Sequence, residues 1–246
     1  MVTESGSARA GGPARERGSA KAGGGARERG AAKERRLAKE DWAAAALAAI
    51  GQGGLAAVAV EPLAAGLGAT KGSFYWHFPN RDALVTAALA VWEEHHTEAT
   101  IVALAAEPDP VARLRTLLTG VLTSTRGRTE LNLLAASDHP LVGPVIRRVT
   151  ARRLAYLVDL LIEIGFPRVE AEWRGLLGYT IYAGNQELAV RLPELLPDPT
   201  GPALRRHIDR IMELLLTPLA PHLGAPTAPA PPTESSAHRA DRVADT

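Results

Sequence analysis

The sequence of 246 residues contains no cysteine, which excludes a disulfide framework, a thiolate zinc site and a cysteine nucleophile. Its longest apolar runs, such as residues 42–50, are too short to span a bilayer. The N-terminus also lacks the apolar segment of a signal peptide. We therefore expect a cytoplasmic protein with no membrane partner, and the apolar share of 46% is enough for a sizeable core.

Aromatic side chains are scarce as well, with three Phe, four Trp and four Tyr in the whole chain. Four of these rings nevertheless fall within five residues, at Phe74, Tyr75, Trp76 and Phe78. They lie in the stretch "LGATKGSFYWHFPNRDAL", residues 67–84, between two segments of helical character. A function for this segment has to explain that concentration.

Charge is nearly balanced overall at +1, but it is distributed unevenly. Residues 1–40 carry ten Lys or Arg against five Asp or Glu, whereas residues 41–96 carry two against five. Residues 1–35 are low-complexity Gly, Ala, Arg and Glu, and residues 224–246 are rich in Pro, Ala and Thr. Neither end has enough apolar surface to offset its ordering entropy, so we predict a disordered basic arm and a disordered tail.

Apolar residues recur at helical spacing through the rest of the chain, and no stretch alternates with a period of two. The sequence therefore predicts an all-α protein. Thr70 is a good N-cap that can reach the amide of Ser73, and Asn80 can cap the following helix. The predicted helices cover residues 37–50, 60–67, 71–78, 81–96, 110–125, 129–137, 143–165, 168–192 and 202–219.

The second and third of these helices, joined by a turn that begins at Gly68, have the lengths of a helix-turn-helix unit. Phe74 and Phe78 are spaced for its core, while Tyr75, Trp76 and His77 occupy the other faces. Exposed rings near Lys71, Ser73 and Arg81 suit contacts along a phosphate backbone, and Gly72 allows close approach to a base. The alternative is that Tyr75 and Trp76 pack on a neighbouring helix.

The stretch "GLAAVAVEPLAAGLGATKGSFYWHFPNRDAL", residues 54–84, resembles the N-terminal domain of the TetR family of transcriptional regulators, and the likeness extends over about residues 37–96. The sequence departs from the family at Ala59–Pro62, where a hydroxyl or basic residue would touch phosphate. The resemblance implies a phosphate contact from Arg81 at the start of helix four. It also implies recognition-helix contacts from Thr70, Lys71, Gly72, Ser73, Tyr75, Trp76 and His77.

The resemblance further implies a homodimer that binds a pseudo-palindromic operator in double-stranded DNA, usually as a repressor. It suggests a DNA-binding domain over residues 36–96 and a helical domain for ligand binding and dimerisation over residues 97–223. Residues 168–192 and 202–219 would form a dimeric four-helix bundle. Because the apolar faces of residues 110–190 carry few charges, we expect an apolar or aromatic effector. Its polar contacts would come from His95, Asn132, Tyr156, Trp173, Tyr182 and Gln186.

Other motifs favour ordinary structural roles. "TKGS" has the wrong order for a phosphate-binding loop, and the adjacent His95 and His96 point about 100° apart on a helix, which does not suit a metal site. Asp138 and His139 lack a serine nucleophile context. We therefore expect no enzyme activity, no catalytic residue, no metal and no cofactor.

Two alternatives stay open at this point. For Tyr179, Tyr182 and Gln186, which share a helical stripe, a place in the core or at a subunit interface is favoured over a ligand pocket. The competing function is a helical adaptor or ligand-binding protein that does not bind DNA, although it would leave Thr70–Arg81 unexplained.

Overall fold

The computed structural model describes residues 37–124 and 126–217, and these residues form helices and turns without any strand. The all-α class predicted from the sequence is confirmed for this part of the chain. The predicted disordered arm and tail lie outside the described residues.

The N-terminal part is a set of four helices, and each begins within two residues of its predicted start. Gly54, with φ of 68°, follows the first helix and lets the chain turn away from it. A short 3-10 turn, Leu55–Ala57, leads to the second. The helices are α1 (Lys39–Gly53), α2 (Val60–Gly66), α3 (Lys71–His77) and α4 (Arg81–Glu93).

The fourth helix was expected to end near His96, and this expectation is wrong because the helical backbone continues beyond that residue. A π-helix, Glu94–Glu98, follows α4 directly and continues into α5 (Ala99–Leu104). The amide of Ala99 donates to the carbonyl of Glu94, five residues earlier, which is the π pattern. Neither Gly nor Pro occurs between residues 81 and 107, so nothing local stops the helix before Pro108.

The C-terminal part contains the five further helices expected from the sequence. Two of them end three residues earlier than predicted, at Leu122 and Leu216. None of the described helices is both long enough and apolar enough to cross a membrane. The elements are α6 (Pro110–Leu122), α7 (Gly127–Ala135), α8 (Gly143–Ile164), α9 (Arg168–Arg191), a 3-10 turn (Pro193–Leu195) and α10 (Pro202–Leu216).

Two groups of buried side chains hold these helices together. The first surrounds Trp42 and Phe74 in α1 and α3, and it extends to Leu133 in α7 and Val149 in α8. The second joins α6, α8, α9 and α10. The first four helices therefore pack on α7 and α8 through a shared apolar core.

A buried arginine in α9 fastens the end of α10. Arg174 donates to the carbonyls of Leu215 at 2.6 Å and Thr217 at 2.9 Å, while Glu170 pairs with it at 2.6 Å. Its guanidinium also lies 4.4 Å from the centre of the Phe166 ring. Arg174 thus satisfies carbonyls that the last turn of a helix leaves without partners.

Candidate functional site

The turn between α2 and α3 is built around one glycine in the left-handed region. Gly68 has φ of 65°. Its amide donates to the carbonyl of Ala65, and the amide of Ala69 donates to that of Ala64 at 2.8 Å. These two bonds form a Schellman motif, which ends α2 and reverses the chain into the next helix.

Side-chain caps fix the starts of α3 and α4. The Ser73 amide donates to Oγ1 of Thr70 at 3.2 Å, and the Ala83 amide donates to Oδ1 of Asn80 at 2.9 Å. Both caps were predicted from the sequence and both are confirmed. They set the direction of the two-turn helix that carries the aromatic cluster.

The four rings of this cluster divide into two buried and two exposed. Phe74 and Phe78 are fully buried and stack at 5.7 Å, with Trp42 of α1 edge-on to Phe74. Tyr75 is 55% exposed and Trp76 is 86% exposed. Trp76 therefore does not pack on a neighbouring helix, and α3 presents an aromatic face outward from an aromatic core.

The polar residues at the start of α3 lie on the same exposed side. Thr70, Lys71 and Gly72 are exposed, and Ser73 and His77 are partly buried. A Cβ built on Gly72 would meet only the Thr70 hydroxyl, at 3.7 Å, so packing within the chain does not require glycine there.

Lys71 forms an ion pair at 2.8 Å with Glu61 of α2. This contact raises the pKa of Lys71 and lowers the pKa of Glu61, in each case first through the hydrogen bond between them and then through their opposite charges. Glu61 occupies the region where the sequence departs from the TetR pattern. Glu61 thus forms an ion pair with Lys71, which is one of the two Lys or Arg residues in residues 41–96.

The other basic side chain of these residues, Arg81, bonds to the chain's own backbone. Its guanidinium donates to the carbonyls of Val58, at 2.7 Å, and Leu55. Arg81 therefore ties the start of α4 to the 3-10 turn before α2. Sequence reasoning gave it a phosphate contact and missed this internal role, because the two carbonyls lie more than twenty residues earlier in the chain.

The π-helix that follows α4 is held by arginines of α8 at both of its ends. Arg148 makes two hydrogen bonds to Glu93, just before the π-helix, and Arg152 makes two to Glu98 at its end. Arg153 donates to the Thr97 hydroxyl at 2.9 Å. The segment is thus anchored to α8 along its length.

A cavity of about 720 Å³ lies among the π-helix and helices α5 to α10. Four of the six residues proposed for the ligand line it, namely His95, Tyr156, Tyr182 and Gln186. Tyr179 also lies on the wall, so the whole stripe of Tyr179, Tyr182 and Gln186 borders the cavity, and a ligand contact by these residues stays a prediction.

The remaining two proposed ligand residues lie elsewhere. Asn132 donates to the carbonyls of Ile50, at 2.8 Å, and Gly51, and it joins α7 to the end of α1. Trp173 is 69% exposed on α9, beside Arg174 and Leu214. Neither residue lines the cavity, and neither is retained in the ligand proposal below.

An ion pair on the cavity wall was missed by sequence reasoning. Arg153 contacts Glu130 at 2.6 Å, and the same guanidinium lies 3.2 Å from the Tyr182 hydroxyl. Burial opposes its charge, but Glu130 and Tyr182 outweigh this effect and hold the pKa of Arg153 above its usual value. The available signal was spacing, since Arg153 falls between Val149 and Leu157 on the apolar face of α8.

Tyr182 and His96, which also line the cavity, have shifted pKa values. Burial raises the pKa of Tyr182 well above its ordinary value, which keeps the phenol neutral. Burial, followed by the charges of Arg126 and Arg153, lowers the pKa of His96 to about 4. Gln186 donates to the Val121 carbonyl at 2.8 Å, while its buried Oε1 accepts no hydrogen bond from any described residue. The wall therefore offers a neutral imidazole and a neutral phenol, while the Oε1 atom of Gln186 is buried behind it.

Comparisons with known proteins agree on the family of the N-terminal part. Residues 43–88, from α1 into α4, match the family model described as bacterial regulatory proteins of the tetR family. No curated protein shows a significant sequence match to the chain.

Solved structures extend the likeness to most of the chain. A transcriptional regulator from Rhodococcus sp. Rha1 aligns with a TM-score of 0.61 at 24% identity, over 73% of this chain and 96% of its own. A protein assigned to the TetR family of regulators, from Mesorhizobium loti, gives 0.55 at 21% identity, over 74% and 96%. The ketosteroid transcriptional regulator KstR2 of Mycobacterium tuberculosis gives 0.50 at 17%, over 72% and 92%. The chain carries the TetR-family N-terminal domain at residues 43–88 and shares the fold of TetR-family transcriptional regulators.

Proposed function

We propose that this chain is a DNA-binding transcriptional regulator, a repressor that a small molecule releases from its operator. The observation that carries the proposal is the outward face of α3, where Tyr75 and Trp76 are exposed above the buried Phe74 and Phe78. Two adjacent large rings exposed on one short helix form the kind of apolar patch that marks an interaction site. A capped helix of two turns at the surface has the size to enter a major groove.

The residues of α3 have separate tasks in this proposal. Thr70, Lys71 and Ser73 at its start contact phosphates, and Gly72 lets the backbone approach the DNA closely. Tyr75, Trp76 and His77 provide edges and faces for bases and sugars. Lys71 must exchange its bond to Glu61 for a phosphate, whereas Arg81 orients α4 through the backbone of the turn before α2.

A homodimer is the second part of the proposal. Helices α9 and α10 carry large apolar side chains that a single chain leaves exposed: Val169, Trp173, Leu176, Leu177 and Leu214. Pairing of this face with a second copy would cover these side chains and form the predicted four-helix bundle. Two helix-turn-helix units would then meet two half-sites of a pseudo-palindromic operator.

The effector site is the third part. The cavity volume of about 720 Å³ falls within the range of about 300–1,000 Å³ that is usual for small-molecule sites. Leucines line much of it, and His95, Tyr156, Tyr182 and Gln186 provide polar groups, which suits a mainly apolar or aromatic molecule.

Release of DNA requires that the effector prefer one conformer over another. The π-helix touches the cavity through His95, His96 and Thr97, and it continues directly from α4, which begins beside α3. A ligand that shifts this segment changes the direction of α4 and, in a dimer, the spacing of the two α3 helices.

The test is sequence-specific DNA binding by the full chain. A labelled fragment from upstream of its own gene should bind in a gel-shift experiment and resist competition by a scrambled fragment of equal length and composition. A non-DNA-binding adaptor, the competing function, would bind neither fragment. Equal binding of both fragments would contradict the regulator proposal.

A further inference from the structure

Among the described residues that line the cavity, one arginine has no partner. Arg153 on the wall is neutralised by Glu130 at 2.6 Å. Arg126, just before α7, also lines the cavity, and its guanidinium makes no ion pair or hydrogen bond with any residue that the structure describes. Glu107, the other carboxylate on the wall, accepts a hydrogen bond from the Asp109 amide at 3.0 Å.

The same region of the wall disfavours additional positive charge. The pKa of His96 is lowered to about 4, first by burial and then by Arg126, Arg153 and His95. At neutral pH its imidazole is uncharged beside two guanidinium groups. This part of the cavity therefore favours a negative charge.

Much of the remaining wall is apolar. Leu104 of α5, Leu117 and Leu118 of α6, Leu157 of α8 and Leu215 of α10 line it together. A bound molecule would thus meet a cationic region and a larger hydrocarbon surface within one cavity.

We propose that the effector is an anionic amphiphile, an organic acid with an apolar body whose carboxylate pairs with Arg126 beside His96. This inference rests on the proposed function, in which the cavity is the effector site. A guanidinium binds a carboxylate through two parallel hydrogen bonds, which a neutral head group does not offer. The leucines of the wall hold the hydrocarbon body.

The experiment compares decanoate with decan-1-ol, which share a chain length and differ in the head group. Binding to the full-length protein is measured by isothermal titration calorimetry at pH 7.5. Decanol leaves water more readily, so apolar burial alone would favour the alcohol. The charged contact predicts instead that decanoate binds about tenfold more tightly.

Arg126→Gln should remove this preference and bring the two dissociation constants within about threefold of each other. The matched control is Arg128→Gln, which changes an exposed arginine of α7 that does not line the cavity. This variant should keep the wild-type preference. Circular dichroism of both variants checks that they fold alike.

Equal or weaker binding of decanoate, the absence of saturable decanoate binding, or a preference that survives Arg126→Gln would overturn the inference. DNA binding by the same samples without ligand distinguishes this failure from that of the proposed function. Specific DNA binding together with no preference for the acid rejects only the ligand class. Preference for the acid without specific DNA binding rejects the regulator and keeps the acid site.

Discussion

Adjacent residues of α3 have opposite environments, and this contrast decides what each can do. Phe74 is fully buried against Trp42, while Tyr75, the next residue, is mostly exposed. A change at Phe74 would disturb folding, whereas a change at Tyr75 reaches only the surface. The exposed residues therefore allow function to be tested separately from stability.

Tyr75→Ala and His77→Ala should each weaken operator binding by about 1–3 kcal/mol, the usual cost of removing one side-chain contact from a DNA interface. Fluorescence anisotropy with a labelled operator measures this change. Helicity and dimerisation should stay as in the wild type. Leu195→Ala removes another exposed side chain, outside α3, and serves as the control that keeps full affinity. Unchanged operator affinity in both test variants would mean that Tyr75 and His77 do not contact DNA.

The protonation of His96 predicts a pH dependence of stability. The folded chain holds its pKa at about 4, below the ordinary value of 6.5, so the unfolded chain binds an extra proton between these values. The free energy of unfolding should therefore fall as the pH falls from 6.5 towards 4. Urea titrations at several pH values should show a shallower fall for His96→Gln.

Thr116→Ala is the control for this measurement, because Thr116 also lines the cavity and its side chain does not titrate in this range. It should keep the wild-type dependence on pH. A His96→Gln variant with an unchanged pH dependence would mean that His96 is readily protonated in the folded chain.

Local chemistry explains which residue roles could be predicted. Thr70 and Asn80 cap helices three residues away, so the sequence alone identifies them. Arg81, Asn132 and Arg153 bind groups more than twenty residues distant, and their partners depend on how helices pack. Their structural roles could not be read from neighbouring residues.

The sequence predicted which segments are helical, but it did not predict where all of these helices end. Gly and Pro end α2, α3 and α8 where the pattern predicts, because these residues act on the local backbone. The continuation of α4 through a π-helix was missed. It depends on Arg148, Arg152 and Arg153 of α8, which bond to Glu93, Glu98 and Thr97 from a distant part of the chain.

Two glycines beside the α2–α3 turn differ in what they allow. Gly68 has a positive φ, so Gly68→Ala should cost about 1–2 kcal/mol of unfolding free energy. Gly66 lies within α2 with nothing within 4 Å of a built Cβ, so Gly66→Ala should be neutral or stabilise the protein by up to about 1 kcal/mol. Chemical denaturation of both variants gives the comparison. Equal effects would mean that the turn can adopt another conformation.

The whole molecule exposes an apolar face on α9 and α10 that the proposed dimer would bury. Trp173→Glu should turn the dimer into a monomer, because it places a charge within that face. Light scattering after size-exclusion chromatography measures the mass. Trp76→Glu is the matched control, since it makes the same change at the exposed tryptophan of α3 and should leave the dimer intact. If Trp173→Glu remains a dimer, the dimer interface does not include this face of α9 and α10.

Long-range charge predicts a role for the N-terminal arm, which lies outside the described residues. Residues 41–96 carry five acidic residues, and their two cations are held by Glu61 and by backbone carbonyls. Residues 1–40 have a net charge of +5. We expect the arm to supply much of the non-specific affinity for DNA, whereas the alternative is a solubilising tail that does not touch DNA.

Deletion of residues 1–33 tests this expectation. Every phosphate that the arm neutralises contributes about 0.9 to the slope of log affinity against log salt, so the truncated protein should show a shallower slope. The preference for operator over scrambled DNA should remain, because α3 stays intact. Operator binding measured across a salt series gives the slope. A truncated protein with the same slope and affinity would favour the solubilising tail.

The π-helix has a consequence for the gene as well as for the protein. Successive residues of an α-helix are about 100° apart, so removal of one codon within residues 94–98 could restore an uninterrupted α-helix and rotate everything after it by that angle. Ile101 and Leu104 would then turn away from the cavity, although α4 and its core would be unchanged. Substitution at the exposed Glu94 has no such effect. Natural selection should therefore act on the length of this segment as well as on its composition.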